Sequence, residues 1–217
     1  MTKDKLIEYL IENQYLRNPK IIEAFRKIDR QDFVPADLKH LAYVNEPLSI
    51  GQGQTISQPL TVAFMLDLLD PQVGEKILDI GSGSGWQTAL LAYIVSKVSG
   101  HKLSIGSGQV IAIEKVLPLK AMTEENVEKY GFIKKGIVKV IWDDGSKGYE
   151  KESPYDKIIA AAAADKIPEA WKKQLKVSGR LVTPVGHSIV VLDKISETEF
   201  KEKEHFGFSF VPLVSGN

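Results

Sequence analysis

A glycine-rich turn beside a carboxylate is the feature of this chain that most directly indicates ligand chemistry. Asp79 ends a short apolar segment, and Gly81, Ser82, Gly83 and Gly85 belong to the alternating glycine-serine turn that follows. Glycine suits such a turn because the backbone must bend tightly and approach a ligand without a Cβ atom in the way. The pattern predicts a small-molecule site at the point where a strand passes into a helix.

The turn favours a cationic ligand over a phosphate. Trp86 stands where the dinucleotide-binding fingerprint requires its third glycine. A pyrophosphate binds bare backbone donors at a helix N-terminus, whereas the carboxylate of Asp79 suits a positive charge. S-adenosylmethionine carries a sulfonium and an ammonium group but no phosphate, and we expect it to be the ligand. A tight turn that binds nothing is the structural alternative.

Two more acidic residues end the apolar segments that follow. Glu114 ends the first, and Asp144 with Gly145 ends the second. Ligands of open α/β sheets bind beyond the carboxyl ends of the strands, where Glu114 suits ribose hydroxyls and Asp144 an adenine amino group. Considered alone, each residue has a structural interpretation of equal weight. Glu114 would be a solvated strand end, and Asp144 would be part of an Asp-Gly turn. Three acidic strand ends around one glycine turn together predict a cofactor site.

A polar stretch from Ile50 to Pro59 is the other candidate for ligand contact. It contains Thr55, Ile56 and Ser57 directly before an apolar, helix-like segment. Ser57 or a neighbour is expected there as an ordinary helix N-cap. The alternative is that the hydroxyl groups face a substrate.

Composition and spacing exclude several other chemistries. The chain has no cysteine, which rules out disulfides, thiolate zinc sites and cysteine nucleophiles. Its four histidines lack the spacing of metal ligands, and neither a nucleophile elbow nor a phosphate-binding P-loop occurs. Lys+Arg and Asp+Glu number 28 each, so no excess of positive charge favours nucleic acid as a partner. We find no signal peptide and no apolar run long enough to span a membrane, and we expect a cytoplasmic protein.

The elements that position these residues alternate between strands and helices. Two N-terminal helices precede the polar stretch, and a third is expected at residues 61–69. Apolar strands are expected at 76–80, 110–113, 138–141, 157–161 and 180–184, and helices at 86–97, 119–130 and 169–175. This alternation predicts a parallel sheet with helices on both faces. Strands at 189–192 and 206–213 predict an antiparallel pair at the sheet edge. The glycines and serines of Gly100–Gly108 predict a flexible loop.

The motifs taken together resemble those of the protein-L-isoaspartate O-methyltransferase family. The run from Ile50 to Pro59 is specific to that family, whereas the glycine turn is shared by most class I methyltransferases. Residues 153–156, 184–186 and 210–213 match in the expected order, and the resemblance covers nearly the whole chain. Asn45 stands where an aspartate is common and Asp143 where a glycine is usual. Asp143 is expected to crowd the adenine edge and weaken cofactor affinity.

The resemblance implies a fold class and a domain plan. The fold is expected to be α/β, a doubly wound, mostly parallel seven-stranded methyltransferase sheet with an antiparallel C-terminal edge and N-terminal helical additions. Residues 1–217 are expected to form a single domain. Within it, residues 1–70 supply the N-terminal helices and the substrate loop, 71–196 the cofactor-binding core, and 197–217 the C-terminal strand and substrate segment.

The resemblance also implies residue roles and partners. S-adenosylmethionine is expected to contact Asp79, Gly81, Ser82, Gly83, Glu114, Asp144 and Gly145. Ser57 is expected to be the active-site serine, with Thr55 and Ile56 beside it in the substrate site. The peptide site is expected to include Val185, Val211, Pro212 and Leu213. The implied partners are isoaspartyl-containing proteins and peptides. From composition and motifs we expect a monomer that binds no metal, nucleic acid or membrane.

The implied reaction needs no general base. The acceptor would be the free α-carboxylate of an isoaspartyl residue, which is ionised at neutral pH because its pKa is about 4. Ser57 would hold that carboxylate in line with the methyl group. Three alternatives stay open: a class I methyltransferase with a small-molecule or nucleobase acceptor, a non-catalytic module that binds cofactor or peptide, and a nicotinamide dehydrogenase. The last would need phosphate-binding backbone where Trp86 begins the helix.

Overall fold

The computed structural model describes residues 1–96, 98–99, 102–103, 107–214 and 216. Six α-helices lie within these residues: α1 (Lys3–Glu12), α2 (Pro19–Lys27), α3 (Pro59–Leu69), α4 (Trp86–Val95), α5 (Leu117–Glu128) and α6 (Glu169–Gln174). The same residues form eleven strands: β1 (Leu48–Gly51), β2 (Gln54–Ile56), β3 (Lys76–Ile80), β4 (Val98–Ser99), β5 (Lys102–Leu103), β6 (Gln109–Glu114), β7 (Val138–Trp142), β8 (Tyr155–Ala160), β9 (Leu175–Val185), β10 (Ser188–Lys194) and β11 (Phe200–Phe206). The loop predicted at Gly100–Gly108 lies largely outside the described residues.

Seven of the strands form one sheet, in the order β11-β10-β9-β8-β3-β6-β7. The five strands from β9 to β7 are parallel, β10 is antiparallel to β9, and β11 is antiparallel to β10. Leu78 of the central strand β3 pairs with Ile111 of β6 on one side and with Ile158 of β8 on the other. The carboxyl ends of β3, β6, β7 and β8 therefore meet at one edge. The predicted fold class is confirmed.

Burial of both sheet faces explains why the strands are nearly continuous apolar runs. One face, with Ile77 and Val110, packs against residues of α1 to α5. The opposite face, with Leu78 and Ile111, packs against the fully buried Trp171 of α6 and neighbouring turns. Full burial of one large aliphatic side chain contributes about 1.5–3 kcal/mol, so alternate residues of each strand stabilise both layers.

The helix ends follow signals in the sequence. The Asn18 side chain accepts from the backbone N–H of Lys20 at 3.0 Å, and Pro19 lies in the first turn of α2. Helix α3 ends at Asp70, whose φ is 49°, directly before Pro71. Among the helices of the described residues, none has the length and apolar character needed to cross a bilayer.

The C-terminal strand does not lie where we predicted it. The prediction of residues 206–213 is wrong, because β11 spans Phe200–Phe206. Its central residues are charged and exposed from Lys201 to Glu204, as suits an edge strand, where charge prevents pairing with other chains. Residues 207–213 leave the sheet and return to its carboxyl edge. There Val211 O accepts from Ala163 N–H at 2.8 Å, and Leu213 N–H donates to Ala163 O at 2.7 Å.

A hairpin of β1 and β2, where we predicted no strand, includes the first part of the polar stretch. Leu48 pairs with Ile56 and Ser49 with Thr55. At the tip, the three residues 51–53 have φ values of 85°, 56° and 70°, and two of them are glycine, which adopts this region without a steric cost. Buried and exposed residues alternate along β1, but strands of only four and three residues are too short for such a pattern to be distinctive in the sequence.

Helix α6 holds the turn that follows β7. Trp171 donates from Nε1 to Gly145 O at 2.8 Å, and Gln174 donates from Nε2 to Lys147 O at 2.9 Å. Oε1 of Gln174 also accepts from Tyr149 N–H at 2.7 Å. These bonds fix Gly145 at the carboxyl end of β7.

Replacement of Gln174 by leucine should destabilise this turn. The variant leaves a carbonyl and an N–H group of the turn without partners, so we expect the free energy of unfolding to fall by about 2 kcal/mol or more. Lys173→Ala on the exposed side of the same helix is the control and should change it by less than about 0.5 kcal/mol. Urea unfolding measures both, and equal stability of Gln174→Leu and the wild type would contradict the role assigned to these bonds.

Candidate active site

A cavity lies at the edge of the sheet where β3, β6, β7 and β8 end. Its empty volume, open solvent at its mouth included, is about 800 Å³. We call it the donor cavity. Its lining includes Gln54, Thr55, Ile56, Ser57, Gly81, Ser82, Gly83, Glu114, Gly145, Ala161, Val211, Pro212 and Leu213.

The glycine turn is held against the end of β6 through its backbone. The N–H groups of Gly81 and Ser82 donate to Ile113 O at 2.9 and 3.1 Å, and Gly83 N–H donates to Oε2 of Glu114 at 2.9 Å. Gly81 and Gly83 have φ values of 76° and 55°, in the region that residues with a Cβ adopt only with strain. The turn therefore presents backbone rather than side chains to the donor cavity.

Glu114 lines the donor cavity from the end of β6. It is 7% exposed, and its Oε1 accepts from Val116 N–H at 2.9 Å while Oε2 accepts from Gly83. A carboxylate has about four lone-pair directions, so acceptor capacity is left for a ligand. The position suits the hydroxyl groups of a ribose.

Asp79 is fully buried behind the glycine turn and is not among the described residues that line the donor cavity. Oδ1 accepts from Nε2 of Gln87 at 2.8 Å, and Oδ2 accepts from Oγ1 of Thr88 at 2.6 Å. Both donors belong to the first turn of α4, so the carboxylate lies at the helix N-terminus, where a phosphate group would otherwise bind. Burial raises the pKa of Asp79 to about 6, and the charge of Glu114 acts in the same direction.

The turn after β7 contributes Gly145 to the donor cavity, while Asp144 is not among the residues that line it. The Asp144 Oδ1 accepts from the N–H and the hydroxyl of Ser146 at 3.0 and 2.7 Å, and its Oδ2 accepts from Gly216 N–H at 3.2 Å. Asp143 is exposed and accepts from Asp144 N–H at 2.7 Å. Contact of Asp144 with adenine, and crowding by Asp143, stay predictions.

A second cleft adjoins the donor cavity and shares Thr55, Ser57, Ala161 and Val211 with it. We call it the acceptor cleft. Its other lining residues are Pro47, Gln58, Thr61, Ser209 and Phe210. All nine lining residues are uncharged. A group bound in this cleft would therefore lie next to a group bound in the donor cavity.

Ser57 lies where the two spaces meet, and its hydroxyl is available to a ligand. The N-cap of α3 is the neighbouring residue Gln58, and Leu60 N–H donates to the Asn45 side chain at 2.9 Å. Within the described part of the chain, no hydrogen bond involves Oγ of Ser57, while its carbonyl accepts from Arg30 at 3.0 Å. The N-terminus of α3 is capped without the Ser57 hydroxyl. We therefore interpret this hydroxyl as a substrate contact.

Comparison with known proteins identifies the family. The family model described as protein-L-isoaspartate(D-aspartate) O-methyltransferase matches residues 1–217. This chain belongs to that family. It is therefore a methyltransferase whose methyl donor is S-adenosylmethionine.

Relatives from archaea match over nearly their whole length. A protein-L-isoaspartate O-methyltransferase of Methanopyrus kandleri is 39% identical over 216 residues, covering 98% of this chain and 91% of the relative. Protein-L-isoaspartate O-methyltransferase 2 of Archaeoglobus fulgidus is 42% identical over 214 residues, covering 97% and 92%.

Solved structures share the fold. One from Plasmodium falciparum, in complex with S-adenosyl-L-homocysteine, has a TM-score of 0.85 at 23% identity and covers 99% of each chain. Another, described as a protein-L-isoaspartate O-methyltransferase, has a TM-score of 0.84 at 25% identity, covering 100% of this chain and 67% of the other.

Most residues predicted for the site lie together. The exceptions are Asp79, Asp144 and Val185, which are outside both lining sets. Val185 pairs with Ser188 and forms a bridge with Ala164. The lining residues that we missed include Ala161 and Ala162 after β8, and Gln58 and Thr61 at the start of α3. Five consecutive alanines at residues 160–164 were the available signal, because small side chains beside a strand end leave room for a ligand.

The donor cavity fits S-adenosylmethionine by the chemistry of its lining. The backbone of Gly81 and Gly83 allows close approach, and the Glu114 carboxylate supplies an acceptor for hydroxyl groups. The negative charge of Asp79 at the start of α4 disfavours a phosphate and favours a cation. This combination suits a ligand with a sulfonium group and a nucleoside.

Ionisation of Asp79 should couple donor binding to pH. Burial raises the pKa of Asp79 to about 6. The protonated carboxyl therefore stabilises the fold fully below the ordinary pKa of an aspartate, and this stabilisation is lost as the pH rises through about 6. A cation favours the ionised form, so we expect the affinity for S-adenosylmethionine to rise from pH 5 to pH 7. Calorimetric titration should show a smaller rise for S-adenosylhomocysteine, which lacks the sulfonium charge. The Asp79→Asn variant should abolish the difference, and equal pH profiles for the two ligands in the wild type would contradict the assignment.

Proposed function

We propose that this protein repairs damaged proteins by transferring a methyl group from S-adenosylmethionine to the α-carboxylate of L-isoaspartyl residues. The observation that supports this most strongly is the meeting of the donor cavity and the acceptor cleft at Ser57. The relatives named as protein-L-isoaspartate O-methyltransferases support the same substrate class.

The acceptor cleft suits an anion that is already deprotonated. Its lining has no histidine, carboxylate or amine in the described part of the chain, and an ionised carboxylate needs no base to accept a methyl group. Helix α3 begins at the cleft with Gln58 and Thr61 in the lining. The positive end of the helix dipole lies there and favours a bound anion.

Different residues would bind the methyl donor and the acceptor. When bound, S-adenosylmethionine supplies an electrophilic methyl group. Gly81, Ser82, Gly83, Glu114 and Gly145 would hold it, with Asp79 and Asp144 supporting the wall. Thr55, Ile56 and Ser57 would orient the acceptor, which reduces the barrier mainly by alignment. Val211, Pro212 and Leu213 would close the site around the peptide, and Val185 would contact it farther along the chain.

One chain provides the lining of both spaces, and we propose that the enzyme acts as a monomer. A balanced charge gives no support for a nucleic-acid partner. The cytoplasmic location stays a prediction.

A pair of peptides tests the proposed function. An isoaspartyl peptide should accept labelled methyl groups from S-adenosylmethionine, while its twin with a normal aspartyl residue should not, because the carboxylate that fits the cleft is then absent. Methylation is measured as base-labile label in the peptide. Equal labelling of both peptides, or labelling only of a small carboxylic acid, would overturn the proposal in favour of another acceptor.

Replacement of Ser57 by alanine should slow transfer without weakening donor binding. A lost hydrogen bond to a charged group costs about 1.5–3 kcal/mol, so we expect kcat/KM for the peptide to fall about tenfold to a hundredfold. The dissociation constant of S-adenosylhomocysteine should stay within about twofold of the wild type.

Ser49→Ala is the matched control in the same hairpin. Ser49 is exposed on β1 and outside both lining sets, so transfer by that variant should equal the wild type. If Ser57→Ala kept full kcat/KM, or lost donor affinity instead, the role assigned to Ser57 would be wrong.

A further inference from the structure

Arg30 is a buried cation without an acidic partner in the described part of the chain. It is 1% exposed. Its Nη1 donates to Ala42 O at 2.6 Å, and its Nη2 donates to Glu46 O at 3.1 Å and to Ser57 O at 3.0 Å. Its Nε has no hydrogen-bond partner. Burial lowers the pKa of Arg30 to about 10, which leaves the guanidinium charged at neutral pH.

The same guanidinium also contacts the donor side of the site. Its Cζ lies 5.2 Å from the centroid of the Trp86 ring, a distance at which a cation is attracted to an aromatic face. Trp86 begins α4 directly after the glycine turn and lines the donor cavity. The side chain of Arg30 therefore links the carbonyl of Ser57 to α4, the helix that follows the glycine turn.

A charge in this place needs an explanation beyond packing. Removing an ion from water costs several kcal/mol, and a neutral residue of similar size is often as stabilising. The lining of the acceptor cleft is uncharged, although the proposed acceptor is an anion. The positive charge of Arg30 is separated from that cleft by one peptide group.

That peptide group joins Ser57 to Gln58, which also lines the acceptor cleft. Because a trans peptide is planar, its N–H points away from its C=O, and the C=O is bound by Arg30. A charged donor on the oxygen polarises the group and strengthens its N–H as a donor. The charge of Arg30 therefore acts on the N–H of Gln58, a residue that lines the cleft.

We propose that Arg30 is a positioning residue for methyl transfer, which fixes the Ser57 peptide group against the donor cavity and supplies the positive charge that the acceptor cleft lacks. This rests on the proposed function, because it assumes an anionic acceptor beside Ser57. Arg30 itself touches neither substrate. Its two contributions, position and charge, are separable because lysine keeps the charge but lacks the planar fork that binds several carbonyls at once.

Arg30→Lys and Arg30→Met test the two contributions. With saturating donor, kcat for the isoaspartyl peptide should fall about tenfold or more in both variants, because the Ser57 segment loses its alignment. The peptide KM should rise about tenfold in Arg30→Met and by no more than about threefold in Arg30→Lys, which retains the charge. The dissociation constant of S-adenosylhomocysteine should stay within about threefold of the wild type in both.

Tyr43→Phe is the matched control. It removes the hydrogen bond from the Tyr43 hydroxyl to Asp29, 2.5 Å long, and so loosens the same segment without touching the fork of Arg30. Its kcat and peptide KM should equal those of the wild type. All measurements are made at a temperature at which circular dichroism shows each variant to be folded.

The outcomes separate this inference from the proposed function. If the wild type does not methylate the peptide, the proposed function fails. If the wild type methylates it and a folded Arg30→Lys keeps wild-type kcat, the inference alone is overturned. It is also overturned if kcat, peptide KM and donor affinity worsen in parallel with thermal stability in both Arg30 variants, as a purely structural role requires. If Arg30→Met does not fold, the kcat of Arg30→Lys alone decides whether the inference stands.

Discussion

The end of β6 is the constraint on which the geometry of the site depends. Ile113 O accepts two N–H groups of the glycine turn, and the Glu114 carboxylate accepts one from Gly83 and one from Val116, at the start of α5. One strand end thus holds the turn that follows its neighbour β3 and the entry to its own helix. Because the two strands are parallel and in register, a slip of one residue would separate all these donors from their acceptors.

The acceptor side is built by other means. It consists of a short hairpin, the first turn of α3 and a returning C-terminal segment, which the sheet does not hold in register. Its order depends on specific polar contacts: Asn45 caps Leu60, Arg30 binds the carbonyl of Ser57, and Ala163 pairs with the returning segment. The Asn45 amide caps the helix without adding a negative charge where an anion is to bind. This half of the site is therefore neutral at its surface and cationic beneath it.

The central sheet was predictable because its strands are buried on both faces, which forces continuous apolar runs such as residues 110–113 between helices. The glycine turn and the acidic strand ends were predictable because their residue types are tied to backbone geometry. Two features were not. Strand β11 is an edge strand whose central residues are charged. Our prediction relied on apolar residues and therefore placed the strand at 206–213. Arg30 gives no signal in the sequence, because nothing local distinguishes a buried arginine from a solvated one, and its partners are carbonyls up to 27 positions away.

A cationic layer under a neutral cleft has a consequence for the end of the reaction cycle. Methylation turns the bound carboxylate into an uncharged ester, so the attraction exerted by the start of α3 and by Arg30 through the Ser57 peptide group disappears with the bond that is made. The cleft then favours a fresh anion over the product that it contains. Departure of the ester is driven by its own loss of charge, so the methylated chain does not compete with unmethylated chains for the enzyme.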